Sequence, residues 1–223
     1  MIIKVCGLRD SENIRQVIEL GVDWVGMVFC EKSPRNVTMI PTHAGIIPDR
    51  GSLSTITHGH SPLRVGVFVD EMAQNMITRV VNYQLDFIQL NGYEPPTLIR
   101  NLRSTLIPDI RPNIRFIKTI SVRSREDVAA FKKYEDCVDF FLFDIQESAV
   151  ENSSPLDWNI LDAYDGQTPF LLGGGIGPND AERVRRFHHP HCVGIDLNTC
   201  FEASPGMIDI EKLKTFLHNT EQG

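Results

Sequence analysis

A thiol at Cys6, a carboxyl group at Asp144, a guanidinium at Arg35 and a glycine run at 173–175 are the groups in this chain best suited to chemistry. The glycines are the most telling. Gly173-Gly174-Gly175 follows the apolar run Phe170-Leu171-Leu172 and precedes Ile176-Gly177-Pro178-Asn179-Asp180. This order predicts a strand, a tight turn, and a helix with Pro178 in its first turn and Asp180 just behind it. Backbone N–H groups in such a turn can approach an anion closely, beside the positive end of a helix dipole. About twenty residues on, Val193-Gly194-Ile195-Asp196 reads as another short strand ending at Asn198-Thr199. Two adjacent strand ends carrying small and hydroxyl-bearing residues make a phosphate cradle. A plain strand-to-helix turn is the simpler alternative.

The elements that must position these groups alternate along the chain. Apolar runs rich in Val, Ile and Phe occur at 2–6, 24–29, 64–69, 86–90, 115–120, 139–143, 169–173 and 193–196. Helical patterns lie between them at 11–20, 72–82, 96–106, 124–135, 157–164, 178–187 and 208–218. In the first helix Asp10 or Ser11 is the cap, Ile14, Val17, Ile18 and Leu20 form the apolar stripe, and Gly21 ends it. Eight strands alternating with helices predict parallel βα units closed into a (β/α)₈ barrel, an α/β fold with residues 1–223 as a single domain. An open doubly wound sheet would carry its glycine fingerprint after the first strand, where none occurs. The second βα unit is irregular: residues 40–62 hold three prolines, three histidines and little helical periodicity. His43, His58 and His60 read as solvated loop residues more readily than as metal ligands.

Chemistry on such a barrel sits at the C-terminal ends of its strands. Those ends read Lys4-Val5-Cys6-Gly7, Lys32-Ser33-Pro34-Arg35, Gln89-Leu90-Asn91-Gly92 and Phe143-Asp144, followed by the glycine turn and Asp196-Leu197-Asn198-Thr199; the fifth strand is expected to begin near Lys118. Each candidate has a bland alternative. Cys6 suits a small buried hydrophobe, Asp144 a turn cap, and Arg35 a solvated cation. Lys4 points away from Val5, and period two alone leaves it either in the barrel interior or at its margin. The joint placement of all four groups at one end favours a site.

Bulk properties exclude several classes. With 22 basic and 29 acidic residues the net charge is −7, which argues against nucleic acid and anionic membranes as partners. A hydrophobic share of 42% supports a sizeable core. No apolar run approaches a membrane span, and the N-terminus does not resemble a signal peptide. Five cysteines at 6, 30, 137, 192 and 200 include no CxxC pair, so neither a disulfide framework nor a zinc site is expected. A reducing, cytoplasmic setting fits, and no metal is indicated.

The same residues carry a resemblance. Lys4-Val5-Cys6-Gly7, Ser33-Pro34-Arg35, Val65-Gly66-Val67-Phe68, Gln89-Leu90-Asn91-Gly92, Phe141-Leu142-Phe143-Asp144, the 173–177 glycine run and Asp196…Glu202 with Pro205-Gly206 resemble phosphoribosylanthranilate isomerase in order and spacing. That family acts in tryptophan biosynthesis on a (β/α)₈ domain. The resemblance implies an Amadori rearrangement of N-(5-phosphoribosyl)anthranilate to 1-(2-carboxyphenylamino)-1-deoxyribulose 5-phosphate, with Asp144 as acid and Cys6, as thiolate, as base. Burial against Phe140, Phe141 and Phe143 is expected to keep Asp144 protonated, and a nearby cation or helix N-terminus to assist Cys6. It also implies that Arg35 pairs with the anthranilate carboxylate, that Gly174, Gly175, Asn198 and Thr199 hold the phosphate, and that Gln89, Asn91 and Asp196 bind substrate. No cofactor is expected; the partner is a small phosphosugar-anthranilate, and the protein a monomer or homodimer. The alternatives are a related phosphosugar isomerase or epimerase, and a non-catalytic phosphate-binding paralogue.

This chain departs from the family pattern at four places. The 147–156 loop lacks the usual glycine run and carries Glu147 and Glu151. Asn91 stands for a usual histidine, Gly173 for a serine and Cys200 for a glycine.

Overall fold

The structure, a computed structural model, describes residues 1–38, 61–146 and 157–221. The irregular stretch expected over 40–62 (residues 61 and 62 excepted), its three histidines and the glycine-poor 147–156 loop lie outside them.

Eight parallel strands close into a barrel in chain order: β1 (Ile2–Val5), β2 (Trp24–Val28), β3 (Leu63–Phe68), β4 (Phe87–Leu90), β5 (Arg115–Val122), β6 (Phe140–Ile145), β7 (Phe170–Gly173) and β8 (Cys192–Leu197). The last strand pairs with the first, with Lys4 opposite Asp196 and Val5 opposite Leu197. Helices α1 (Ser11–Glu19), α2 (Ala73–Tyr83), α3 (Pro96–Leu106), α4 (Arg125–Val128), α5 (Ala181–Arg186) and α6 (Ile210–Glu221) follow strands on the outside. Of the two proposed caps for α1, Asp10 is the one used: its carboxylate accepts from the Asn13 N–H at 2.9 Å.

Strand alternation sorts the core into two layers. Trp24, Val28, Val65, Val67, Phe87, Ile117, Leu142 and Leu171 fill the barrel interior together with Cys6. Their neighbours, among them Val25, Met27, Phe116, Phe141, Phe143 and Leu172, face outward onto the helices. The Trp24 ring lies 4.3 Å from that of Phe87 and meets Phe140 edge-on at 5.3 Å. These aromatics plug the end of the barrel where the strands begin, and Arg115 covers Phe87 with its guanidinium 4.2 Å from the ring centre.

Several elements differ from expectation. The helix expected over 124–135 is one turn, α4, running into a 3-10 stretch at Ala129–Lys133, and the one at 157–164 is a 3-10 helix, Trp158–Ala163. Pro178 lies ahead of α5, not within it, because Asp180 turns back to accept the Gly177 N–H at 2.8 Å and the helix starts only at Ala181. Lys118 lies in the middle of β5, opposite Leu90, and not at its start. A hairpin of β9 (Glu202–Ser204) and β10 (Met207–Ile208) follows β8 and was not anticipated. Its short strands carry too few residues to show a period.

Candidate active site

The C-terminal ends of the strands surround a cavity of about 690 Å³, and every site residue expected from the sequence lines it. The cavity is built strand by strand. Cys6 follows β1, points inward and is 4% exposed. Its sulfur fills space that only a glycine on the neighbouring strand could leave: a Cβ on Gly26 would sit 2.8 Å from the Cys6 Sγ. Asp144, near the end of β6, accepts a hydrogen bond from Gln146 Nε2 at 2.6 Å. A larger cavity of about 830 Å³ lies outside the barrel, between α5 and the outward faces of β7 and β8, by Met1, Phe187 and Pro190. Size does not select it, because the thiol and Asp144 open onto the smaller one.

Both proton-bearing groups are shifted by their surroundings. Burial pushes the Asp144 carboxyl above its ordinary range, against the hydrogen bond from Gln146 and the charge of Lys4. The source of that burial corrects the expectation. Phe141 and Phe143 face the outer layer, and Phe140 packs with Trp24 at the far end of the barrel. Asp144 owes its shelter to the barrel wall, where Leu142 precedes it on the same face. Burial also pushes the Cys6 thiol up, and the Lys4 ammonium draws it back down.

Lys4 resolves inward. It is wholly buried, and its ammonium lies 2.8 Å from Asp196 Oδ1. Asp196 therefore reaches the cavity wall with one carboxylate oxygen already committed.

Arg35 enters from the turn after β2, where its backbone N–H donates to Ser33 Oγ at 3.1 Å. Its fork is already held along one edge: Nε donates to Glu202 Oε1 at 2.7 Å and Nη2 to Glu202 Oε2 at 2.5 Å. Glu202 Oε1 also accepts the Gly206 N–H at 2.9 Å, so the β9–β10 hairpin fixes the arginine. Across the mouth, Thr119 Oγ1 and Gln89 Nε2 donate to Asn91 Oδ1 at 2.6 and 2.9 Å. Gln89 Oε1 and Asn198 Oδ1 are buried acceptors with no donor among the described residues. Both belong to cavity-lining side chains, and a buried acceptor left unmatched is costly unless a ligand or water serves it.

The glycine turn closes the ring. Gly174 and Gly175 have φ of +84° and +61°, which lie in the left-handed region. They line the cavity beside Asn198, Thr199 and Cys200. With Gly177 capped by Asp180 and α5 only six residues long, the cradle is a loop feature more than a helix end.

Thr119, Gln146 and Glu202 are not among the site residues the sequence suggests, and for Lys4 the sequence leaves interior and margin open. Lys4 and Gln146 each stand two residues from a predicted catalytic group, so period two was a usable signal for them. Thr119 and the Arg35–Glu202 pair, 167 residues apart, offer none without the barrel closure.

The cavity combines a buried thiol, a sheltered carboxyl, an anchored arginine and an anion cradle. Comparison with known proteins identifies the relatives of this chain. Residues 3–219 match the family model described as N-(5'-phosphoribosyl)anthranilate (PRA) isomerase. The chain is 41% identical to N-(5'-phosphoribosyl)anthranilate isomerase of Parabacteroides distasonis over 97% of its own length and 92% of that protein's. It superposes with a TM-score of 0.74 on monomers of the dimeric phosphoribosylanthranilate isomerase of Thermotoga maritima, at 25% identity and full coverage of both chains. A second solved phosphoribosylanthranilate isomerase, in complex with reduced 1-(o-carboxyphenylamino)-1-deoxyribulose 5-phosphate, gives 0.74 at 26% identity and 99% coverage of each. With fold, cavity chemistry and near full-length similarity in agreement, the chain belongs to the N-(5'-phosphoribosyl)anthranilate isomerase family.

Proposed function

We propose that this cavity catalyses the reaction for which the family is named, the Amadori rearrangement of N-(5-phosphoribosyl)anthranilate in tryptophan biosynthesis, with Asp144 as acid and Cys6 as base. The observation that carries the reading is the opening of both groups onto one cavity that the Gly174–Gly175 cradle also lines.

Asp144 donates its proton to the furanose ring oxygen. The C1–O bond breaks, and the nitrogen lone pair forms the C1=N bond of a Schiff base. The Cys6 thiolate then takes the proton from C2. The C–H electrons become the C1=C2 bond of an enolamine while the C=N electrons return to nitrogen, and tautomerisation gives the ketone. The reaction is an intramolecular oxidation and reduction: C1 is reduced as C2 is oxidised. The nitrogen acts as electron sink, so neither metal nor organic cofactor is needed. Sheltering supports the acid role, because burial raises the carboxyl group and so favours its protonated form.

The anions at the two ends of the substrate find separate partners in this reading. Loop N–H groups of Gly174 and Gly175, with Asn198 and Thr199, hold the phosphate. Arg35 takes the anthranilate carboxylate on the edge of its fork that Glu202 leaves open. Gln89 and Asn91 present amide groups to the sugar. Asp196 also borders the substrate, with Lys4 holding one of its oxygens.

All these groups come from one chain of a single (β/α)₈ domain, so the site is complete in a monomer and equally in a homodimer. Five free thiols suit a reducing cytoplasm. No helix among the described residues is long and apolar enough to cross a membrane. The test is turnover of freshly generated phosphoribosylanthranilate, followed by fluorescence, in buffer with and without EDTA. Equal turnover in both supports the reading. An inactive protein that still binds the reduced product analogue would make the barrel a binding protein.

A further inference from the structure

Lys4 and Cys6 stand two residues apart on β1 and its end, and both point into the barrel. The Lys4 ammonium is 2.8 Å from Asp196 Oδ1 on β8, and its side chain lies on the same inner face of the chain as the Cys6 sulfur, two residues before it. Lys4 is 0% exposed and the Asp196 side chain 11%. The barrel interior below is otherwise apolar, with Trp24, Val65, Phe87 and Leu171. Replacing a buried ion pair by packed apolar side chains is often neutral or stabilising, so a pair kept here calls for a purpose other than stability.

We infer that Lys4, held in place by Asp196, is the positioning residue whose ammonium sustains Cys6 as a thiolate during proton transfer. The inference rests on Cys6 being the base. Among the described residues the charged groups facing the thiol are few. Lys4 comes from β1, Asp196 from β8, Asp144 from β6 and Arg35 from the turn after β2, the last with its charge matched by Glu202. The thiols of Cys30 and Cys200 line the same cavity. Lys4 is the one cation among them that is wholly buried, on the same inner face as the sulfur, whereas Arg35 is partly exposed and paired with Glu202.

The two partners act on the thiol with opposite signs. Lys4 favours the thiolate, and the Asp196 carboxylate opposes it. Removing the ammonium therefore makes Cys6 harder to ionise. Removing the carboxylate leaves a buried ammonium in need of a counter-ion. Moving the thiol proton away then creates one, and the ordinary pKa order favours the charged pair, with an amine near about 10.4 and a thiol near about 8.5.

The experiment is the pH dependence of Cys6 alkylation by iodoacetamide, read on the N-terminal peptide by mass spectrometry, in the unaltered protein, Lys4→Met and Asp196→Asn. Lys4→Met should raise the midpoint by a pH unit or more, a tenfold loss of thiolate at fixed pH. Asp196→Asn should lower it. Midpoints that move in the same direction, or do not move, overturn the inference. If Lys4→Met fails to fold, Lys4→Gln, which removes the charge and keeps a polar side chain of similar length, reads the same upward shift. Alkylation reads the sulfur whether or not it is the base. A Cys6→Ala protein that kept turnover would sink the base assignment and leave the midpoint shifts standing.

Discussion

Substituting Gly174 by alanine should damage phosphate binding far more than the fold. A Cβ at this position would lie 2.0 Å from the Ile145 carbonyl oxygen, 2.5 Å from its nitrogen and 2.7 Å from its carbonyl carbon. Ordinary C···O contacts begin near about 3.3 Å, so the turn must retreat by more than roughly 1 Å. All three atoms are backbone of β6, which cannot rotate aside as a side chain would. The φ of +84° adds roughly 1–2 kcal/mol for a residue with a Cβ. That strain corresponds to a fall in Tm of about 2–8 °C for a chain of this size. The displaced turn also withdraws N–H donors from the phosphate, at about 1.5–3 kcal/mol for each hydrogen bond to a charged group. One lost bond raises KM by about 10- to 150-fold. Steady-state fluorescence kinetics would give KM and kcat, and inorganic phosphate as a competitive inhibitor would report the cradle directly. A Gly174→Ala protein with unaltered KM and phosphate inhibition would refute the assignment of the turn.

Three further outcomes follow from the same geometry. Glu202→Gln should loosen Arg35 and cost roughly 1–2 kcal/mol of substrate binding, about 5- to 30-fold in KM with kcat little changed; a loss confined to kcat would contradict the role given to Arg35. Lys118→Met should strand the buried Glu94 carboxylate, whose Oε2 lies 3.0 Å from the Lys118 ammonium. The cost of breaking such a pair is about 3–5 kcal/mol, or roughly 6–20 °C in Tm by calorimetry, and a melting point within about 2 °C of the original would refute it. Catalysis by protonated Asp144 and ionised Cys6 should give a bell-shaped kcat/KM profile. Activity rises with pH as the thiol loses its proton and levels off once Asp144 begins to ionise, above its ordinary 3.8 because it is buried. It falls only when Cys6 is fully ionised, above the ordinary thiol value of 9.0. An alkaline limb well below that value would contradict the balance of burial and Lys4 drawn here.

The barrel was legible because its strands are short runs of branched and aromatic apolar residues, a composition that holds for strands covered on both faces. The sites at their ends followed from one rule, that parallel barrels gather chemistry where strands finish. Orientation was less legible. Phe140, Phe141 and Phe143 read as one aromatic shell around Asp144, yet the pleat sends Phe141 and Phe143 to the helix side and leaves Phe140 at the far end. Lys4 shows the same limit from the other side, since only pairing with Asp196 across the barrel seam fixes it inside. Short helices were overread where a cap and a few apolar residues matched a helical spacing: Asp157 caps Trp158–Ala163, yet the segment stays a six-residue 3-10 helix. The clasp of Arg35 by Glu202 joins segments 167 residues apart, so nothing local encodes it.

The most direct test of the acid–base assignment is a comparison of kcat with ligand affinity in Cys6→Ala and Asp144→Asn. Phosphoribosylanthranilate would be generated in the cuvette, and the reduced product analogue titrated separately. The predicted result is loss of turnover by about two to four orders of magnitude in each variant, the span typical of removing a general acid or base, with analogue affinity within a few-fold of the original. Turnover that survives in either variant would contradict the roles assigned to that residue.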